Sequence, residues 1–167
     1  MGLYTNLEAV RIRLIGKVKF TSDEEDENKM HEDLANRLIN EAEGQVEHDL
    51  SPRYSAPFQT ADGTAFKYLP TRPTQEIIRT LCELQSVIRI LETDFGRGTV
   101  VEGDKYTDKV QKRYNSIVAQ QIAKKKMGGE EAQGWMYPPL PGLKLNWMNT
   151  QSDDGFMGSV LSTSQGD

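Results

Sequence analysis

PTQEIIRTLCELQSVIRILETDF, residues 73–95, decides the fold. Its apolar residues Ile77, Leu81, Leu84, Ile88, Leu91 and Phe95 fall at steps of four, three, four, three and four, the heptad-like seam of a helix that packs on other helices. Ile78, Cys82 and Val87 widen the stripe, which predicts a central helix over 74–95. Pro73 sits near the start, where its missing N–H costs nothing, and Gly96 can close the end.

Toward the N-terminus, Met30, Leu34, Leu38, Ile39, Ala42, Val46 and Leu50 describe one apolar stripe, so a second amphipathic helix is expected over 28–50. Glu32, Asp33, Arg37, Asn40, Glu43, Glu47 and His48 fall on its other faces, read as solvated. Pro52 ends it, because a residue before proline leaves the helical region. The chain then turns through a compact Arg53-Tyr54 knuckle toward Pro57 and a loop containing Asp62-Gly63. Earlier still, Thr5 and Glu8 fit a capping box ahead of Leu7, Val10 and Leu14, and Gly16 can terminate that short helix. Lys17 to Phe20 alternate polar and apolar, as a brief extended piece would. The acidic run at 23–27 lacks the glycine and terminal glutamate of a calcium loop, and negative charge ahead of a helix is favoured by the helix dipole alone.

Toward the C-terminus, a glycine-spaced link leads to a helix expected over 108–127, with Thr107 as N-cap and Val110, Tyr114, Ile117, Val118 and Ile122 inward. Its outer face is basic: Lys109, Lys112, Arg113, then Lys124, Lys125 and Lys126 before Gly128-Gly129. After that the periodicity stops. The expectation is an all-α fold, a small bundle of about four helices spanning 1–129, with an extended C-terminal arm over 130–167.

Composition narrows the function. The 167 residues carry a net charge of -5, the wrong sign for a protein that grips nucleic acid by its phosphates. Cys82 is the single cysteine, so no intrachain disulfide forms. No apolar run approaches a membrane span, and MGLYTN lacks a signal peptide's apolar region, so a soluble intracellular protein is expected. His31 and His48 lie on one helix with roughly 25 Å of rise between them and cannot share a metal within a chain. Asp94-Phe95-Gly96 spells a kinase tripeptide without the glycine-rich loop, strand lysine or catalytic loop that give it a role. No nucleophile elbow, Walker loop or Cys/His ligand set is present, so no enzyme, no cofactor and no metal are expected.

Two features remain. The arm concentrates Trp135, Tyr137, Pro138, Leu140 and Trp147, types that interface cores favour. It either folds back on its own helices or, the favoured reading, docks on a partner and is dispensable to the helices. Lys124, Lys125 and Lys126 are favoured at the expected helix C-terminus by the dipole alone; the functional reading places them, with Lys109, Lys112 and Arg113, near the phosphates of passing DNA. A small helical DNA-binding regulator using that face is the alternative function.

The order of parts resembles the head-tail connector, or head-completion adaptor, proteins of long-tailed bacteriophages. The shared pattern is a capped N-terminal helix, a long helix ending in a Leu-x-x-Arg-Tyr-x-x-Pro knuckle (here Leu50, Arg53, Tyr54 and Pro57), a proline-led apolar helix and a last helix rich in Lys and Arg. The likeness covers residues 3–127. Pro52 inside the knuckle and the acidic insert at 23–27 depart from it. The resemblance implies an all-α subunit that forms a ring with copies of itself, usually a dodecamer, on the portal protein in the virion neck. Such a ring extends the DNA channel and offers a tail or stopper protein something to bind. It also implies that the C-terminal segment docks on the portal, with Trp135, Tyr137, Pro138, Leu140 and Trp147 as candidates. Arg53-Tyr54 would lock the long helix against the next. Viral DNA would pass in transit, and no membrane is involved.

Overall fold

The computed structural model describes residues 2–23, 29–58, 73–95, 103–127 and 130–146. Four helices carry it: α1 (Leu7–Arg13), α2 (Glu32–Leu50), α3 (Pro73–Phe95) and α4 (Gly103–Ile122). Two short pairings complete it. β1 (Phe20–Thr21) runs parallel to β2 (Met30–His31), and β3 (Lys124–Met127) runs antiparallel to β4 (Glu130–Trp135). The small helical bundle expected from the periodicity is the observed class.

α3 is the central element. Residues 81–88 are buried without interruption, and α2 and α4 pack along it while α1 lies across it. Full burial takes polar groups inside as well, where lacking a partner is costly, and Glu83 and Ser86 each have one. The Glu83 carboxylate meets the Arg13 guanidinium, with Nε donating at 2.6 Å, and Ser86 Oγ donates to the Cys82 carbonyl at 2.7 Å.

Element ends depart from the sequence expectation where distant chain competes. The N-cap of α1 is Asn6, whose Oδ1 accepts from Ala9 N–H at 2.9 Å, not Thr5. The Thr5 N–H is taken by Glu43 instead. Gly16 ends the segment at φ 74°, a left-handed conformation that glycine adopts without strain. α2 begins at Glu32, not at 28, because Met30 N–H donates to the Lys19 carbonyl at 2.8 Å and strand pairing holds residues 30 and 31 extended. α4 starts earlier than expected, at Gly103, and stops at Ile122. Lys124, Lys125 and Lys126 are therefore in β3, not on a helix: Lys124 pairs with Trp135 and Lys126 with Glu131. The expected boundary at 129/130 falls inside this hairpin. Residues 24–27 of the acidic run, Asp62-Gly63, the link at 96–102, Trp147 and the arm beyond 146 lie outside the described residues.

Candidate functional site

The site is built where α2 ends. Arg53 and Tyr54 N–H both donate to the Leu50 carbonyl, at 3.1 and 3.0 Å, which tightens the last turn and rolls both side chains inward. Arg53 is 2% exposed and Tyr54 fully buried. Arg53 Nη1 donates to the Gln121 carbonyl at 3.0 Å, in the last turn of α4, where carbonyls lack helical partners and the dipole favours a cation. Its Nη2 donates to the Tyr137 carbonyl at 2.7 Å. The guanidinium carbon lies 4.8 Å from the centre of the Trp135 ring. One side chain thus ties the end of α2 to the end of α4 and to the start of the arm.

The arm continues across the knuckle. Leu140 N–H donates to Tyr54 Oη at 3.1 Å, Ser55 N–H to the Lys144 carbonyl at 3.0 Å, and Asn146 N–H to the Arg53 carbonyl at 3.0 Å. Thr74 Oγ1 donates to the Pro141 carbonyl at 2.8 Å. Leu140 and Leu143 enter the core. The docking candidates are therefore divided. Leu140 is buried in its own chain and Trp135 is half-buried on Arg53, so neither is a free surface here. The arm finds its first partner at home because the knuckle presents unpaired backbone groups and a cation that seeks carbonyls. Tyr137 and Pro138 are exposed, with Met136 and Pro139 beside them.

A second cluster was not legible in the sequence. Glu43, assigned there to the solvated face of α2, is buried. Its carboxylate accepts three backbone N–H groups, from Leu3 at 2.6 Å, Tyr4 at 2.8 Å and Thr5 at 2.8 Å. Gly2 passes so close that a Cβ would overlap the carboxylate. Tyr4 Oη donates to Glu47 at 2.6 Å and accepts from Phe58 N–H at 2.8 Å. Tyr114 Oη donates to Asp49. Burial, then the carboxylate acceptor, pushes both phenols well above the usual tyrosine range. The only cue was position: Glu43 lies four residues after Ile39 and three before Val46, on the edge of the apolar stripe. This cluster straps the N-terminus onto α2 and is structural.

The expected basic face is split. Lys109, Lys112 and Arg113 are exposed on α4, with no ion pair among the described residues, whereas the three later lysines belong to β3. Lys109 and Arg113 border a groove of about 180 Å³ between α1, α3 and α4, with Leu84, Val87, Tyr106 and Val110 also lining it. Tyr106 Oη donates to the Arg13 carbonyl at 3.1 Å, fixing the end of α1 to the start of α4. The Lys17 ammonium lies 4.4 Å from the centre of the Tyr106 ring.

Among the described residues the exposed large apolar side chains, apart from Leu3 beside Glu43, fall near the two ends of α4. Ile12 and Ile15, 62% and 75% exposed, flank Arg13 near the start. Met136 and Tyr137, 59% and 45% exposed, lie near the finish, where Met136 N–H donates to the Ala123 carbonyl at 2.8 Å. The helix between Tyr106 and Ala123 sets these patches about 25 Å apart along its axis.

Among the described residues no group of three or more His, Cys, Asp or Glu could hold a metal ion. No helix among them is long and apolar enough to cross a membrane. Cys82 is buried, and burial, followed by the charges of Glu43, Glu47 and Glu83, pushes its thiol up, away from nucleophilic use. Compared with known protein families, curated proteins and solved structures, the chain finds no match.

Proposed function

We propose that the chain is a structural adaptor of the tailed-phage neck: a non-catalytic subunit that assembles as a ring on the portal protein, extends the DNA channel and links capsid to tail in the virion. The observation that carries this is the pair of unlike apolar patches at opposite ends of α4. A head-to-tail contact, the kind that closes rings, needs two different surfaces on each subunit, whereas a two-fold contact needs only one. The knuckle motif Leu50, Arg53, Tyr54 and Pro57, which suggested the connector proteins, is the hub on which α2, α4 and the arm converge. The net charge of -5 suits a ring through which DNA passes without being held.

The test is co-sedimentation of the full chain, and of a chain lacking residues 147–167, with the portal protein encoded in the same genome. Co-sedimentation of the full chain is expected. A weaker complex from the truncated chain assigns portal docking to the segment that includes Trp147. If neither form associates, the adaptor function is wrong.

One observation favours a second function, DNA binding by a small helical regulator. Lys109, Lys112 and Arg113 stand on one exposed face of α4 with no carboxylate partner among the described residues. Sequence-preferring duplex affinity that falls steeply with salt would support it, and no binding at low salt would remove it.

A further inference from the structure

We infer that the groove at the start of α4 receives the exposed Met136-Tyr137 tip of a second copy of this chain, so that successive copies join head to tail. The inference rests on the ring proposed above and names its contact.

The groove is suited to one aromatic side chain. It is a slot of about 180 Å³, open to solvent on one side. Leu84, Val87 and Val110, all nearly buried, line its base with Tyr106, while Arg13, Lys109 and Arg113 bring three cations to it. A cation beside an aromatic slot complements the negative face of an incoming ring. This chain already uses that pairing elsewhere, as in Lys17 over Tyr106 at 4.4 Å and Arg53 over Trp135 at 4.8 Å.

The tip is suited to insertion. Met136, Tyr137, Pro138 and Pro139 are consecutive and all exposed. Methionine and tyrosine are types that interface cores favour. The backbone is fixed from beneath, through Arg53 Nη2 to the Tyr137 carbonyl at 2.7 Å and Met136 N–H to the Ala123 carbonyl at 2.8 Å. A tip held in place loses little further entropy on docking.

The occupant is another copy rather than the chain's own tip. The same two hydrogen bonds anchor Met136 and Tyr137 to the far end of α4, about 25 Å along the helix from Tyr106. Because tip and groove are different surfaces at opposite ends of one rod, each copy that gives its tip still has an open groove. The contact therefore propagates until a ring closes.

Disulfide trapping tests this directly, since Cys82 is the only cysteine and is buried. The full chain carrying Lys109→Cys and Tyr137→Cys is oxidised at rising concentration and resolved without reductant. Arg113→Cys with Tyr137→Cys probes the groove's border from another residue, and melting curves confirm that each variant folds. A ladder of dimers, trimers and higher multimers is expected from at least one double variant, with each single variant stopping at the dimer. Products that stop at the dimer in both double variants, while the wild-type chain sediments as an oligomer, overturn the tip-in-groove contact and leave the ring standing. No multimers together with a wild-type chain that stays monomeric over the same concentrations overturn both.

Discussion

The Arg53 guanidinium and the Trp135 ring lie 4.8 Å apart, a cation stacked on an indole 82 positions further along the chain. Around that contact Arg53 gives one hydrogen bond to α4 and one to the arm. A buried cation held by carbonyls and a ring face cannot be removed without leaving those carbonyls unpaired.

Arg53→Ala is expected to lower stability by about 3 kcal/mol, the scale for losing charge-assisted hydrogen bonds in a buried site. Arg53→Lys restores less than half, because an ammonium cannot fork to two carbonyls and stack at once. Urea denaturation measures both. In a Trp147→Phe background, the fluorescence of Trp135 becomes accessible to acrylamide in the alanine variant.

Glu43 makes the opposite case, a buried anion neutralised by backbone donors. Glu43→Gln sets an amide NH₂ against N–H groups it cannot accept from, at a cost of about 1–3 kcal/mol. Gly2→Ala forces a methyl into the carboxylate and is expected to cost a similar amount by overpacking, about 1–3 kcal/mol. In both variants the amides of Leu3, Tyr4 and Thr5 lose protection in hydrogen exchange while those of α3 keep theirs.

Tyr4 and Tyr114 keep their protons in the folded chain beyond the pH near 10 at which a free phenol ionises. Since the folded-state value is the raised one, the stability these groups contribute is complete below about pH 10 and is lost as pH climbs beyond it. Ultraviolet difference titration, with Tyr→Phe variants to assign the signals, should show Tyr4 and Tyr114 ionising only with unfolding. Replacing Tyr4 and Tyr114 by phenylalanine should lower stability at neutral pH and flatten its alkaline decline.

Deleting residues 130–167 removes Leu140, Leu143 and the arm's hydrogen bonds to Arg53, Tyr54 and Ser55. Each leucine contributes about 1.5–3 kcal/mol by burial, and Tyr54 and Arg53 would lose their cover. Most of a typical 5–15 kcal/mol margin goes with them. The truncated chain is expected to lose cooperative melting. Leu140→Ala alone should cost about 2–5 kcal/mol. A fully stable truncated chain would show that the arm merely rests on the core.

What could be read from the sequence was local. The seam from Ile77 to Leu91 and the turn at Gly16 each follow from residues within a few positions, and the helical class followed from them. α2 does end at Leu50, but Ser51 before Pro52 stays helical at φ -57° and ψ -27° rather than leaving that region as expected. What could not be read was set by distant partners. Lys124, Lys125 and Lys126 are good helix formers, but pairing with β4 makes them strand. Met30 would extend α2, but Lys19 and Phe20 hold it extended. Glu43 looks solvated until the N–H groups of Leu3, Tyr4 and Thr5 are placed around it. The knuckle was visible as a motif, yet its partners, Gln121, Trp135 and Tyr137, are 68 to 84 positions away. Composition named Tyr137, Pro138 and Leu140 alike as docking candidates and could not separate the first two, which are exposed, from Leu140, which the core claims.

Whether the molecule is a self-assembling joint is tested most directly by electron microscopy and sedimentation velocity of the full chain, alone over rising concentration and with its portal protein. Closed rings, free or seated on the portal, are the predicted result. A lone 18.8 kDa species under every condition, indifferent to the portal, would contradict it.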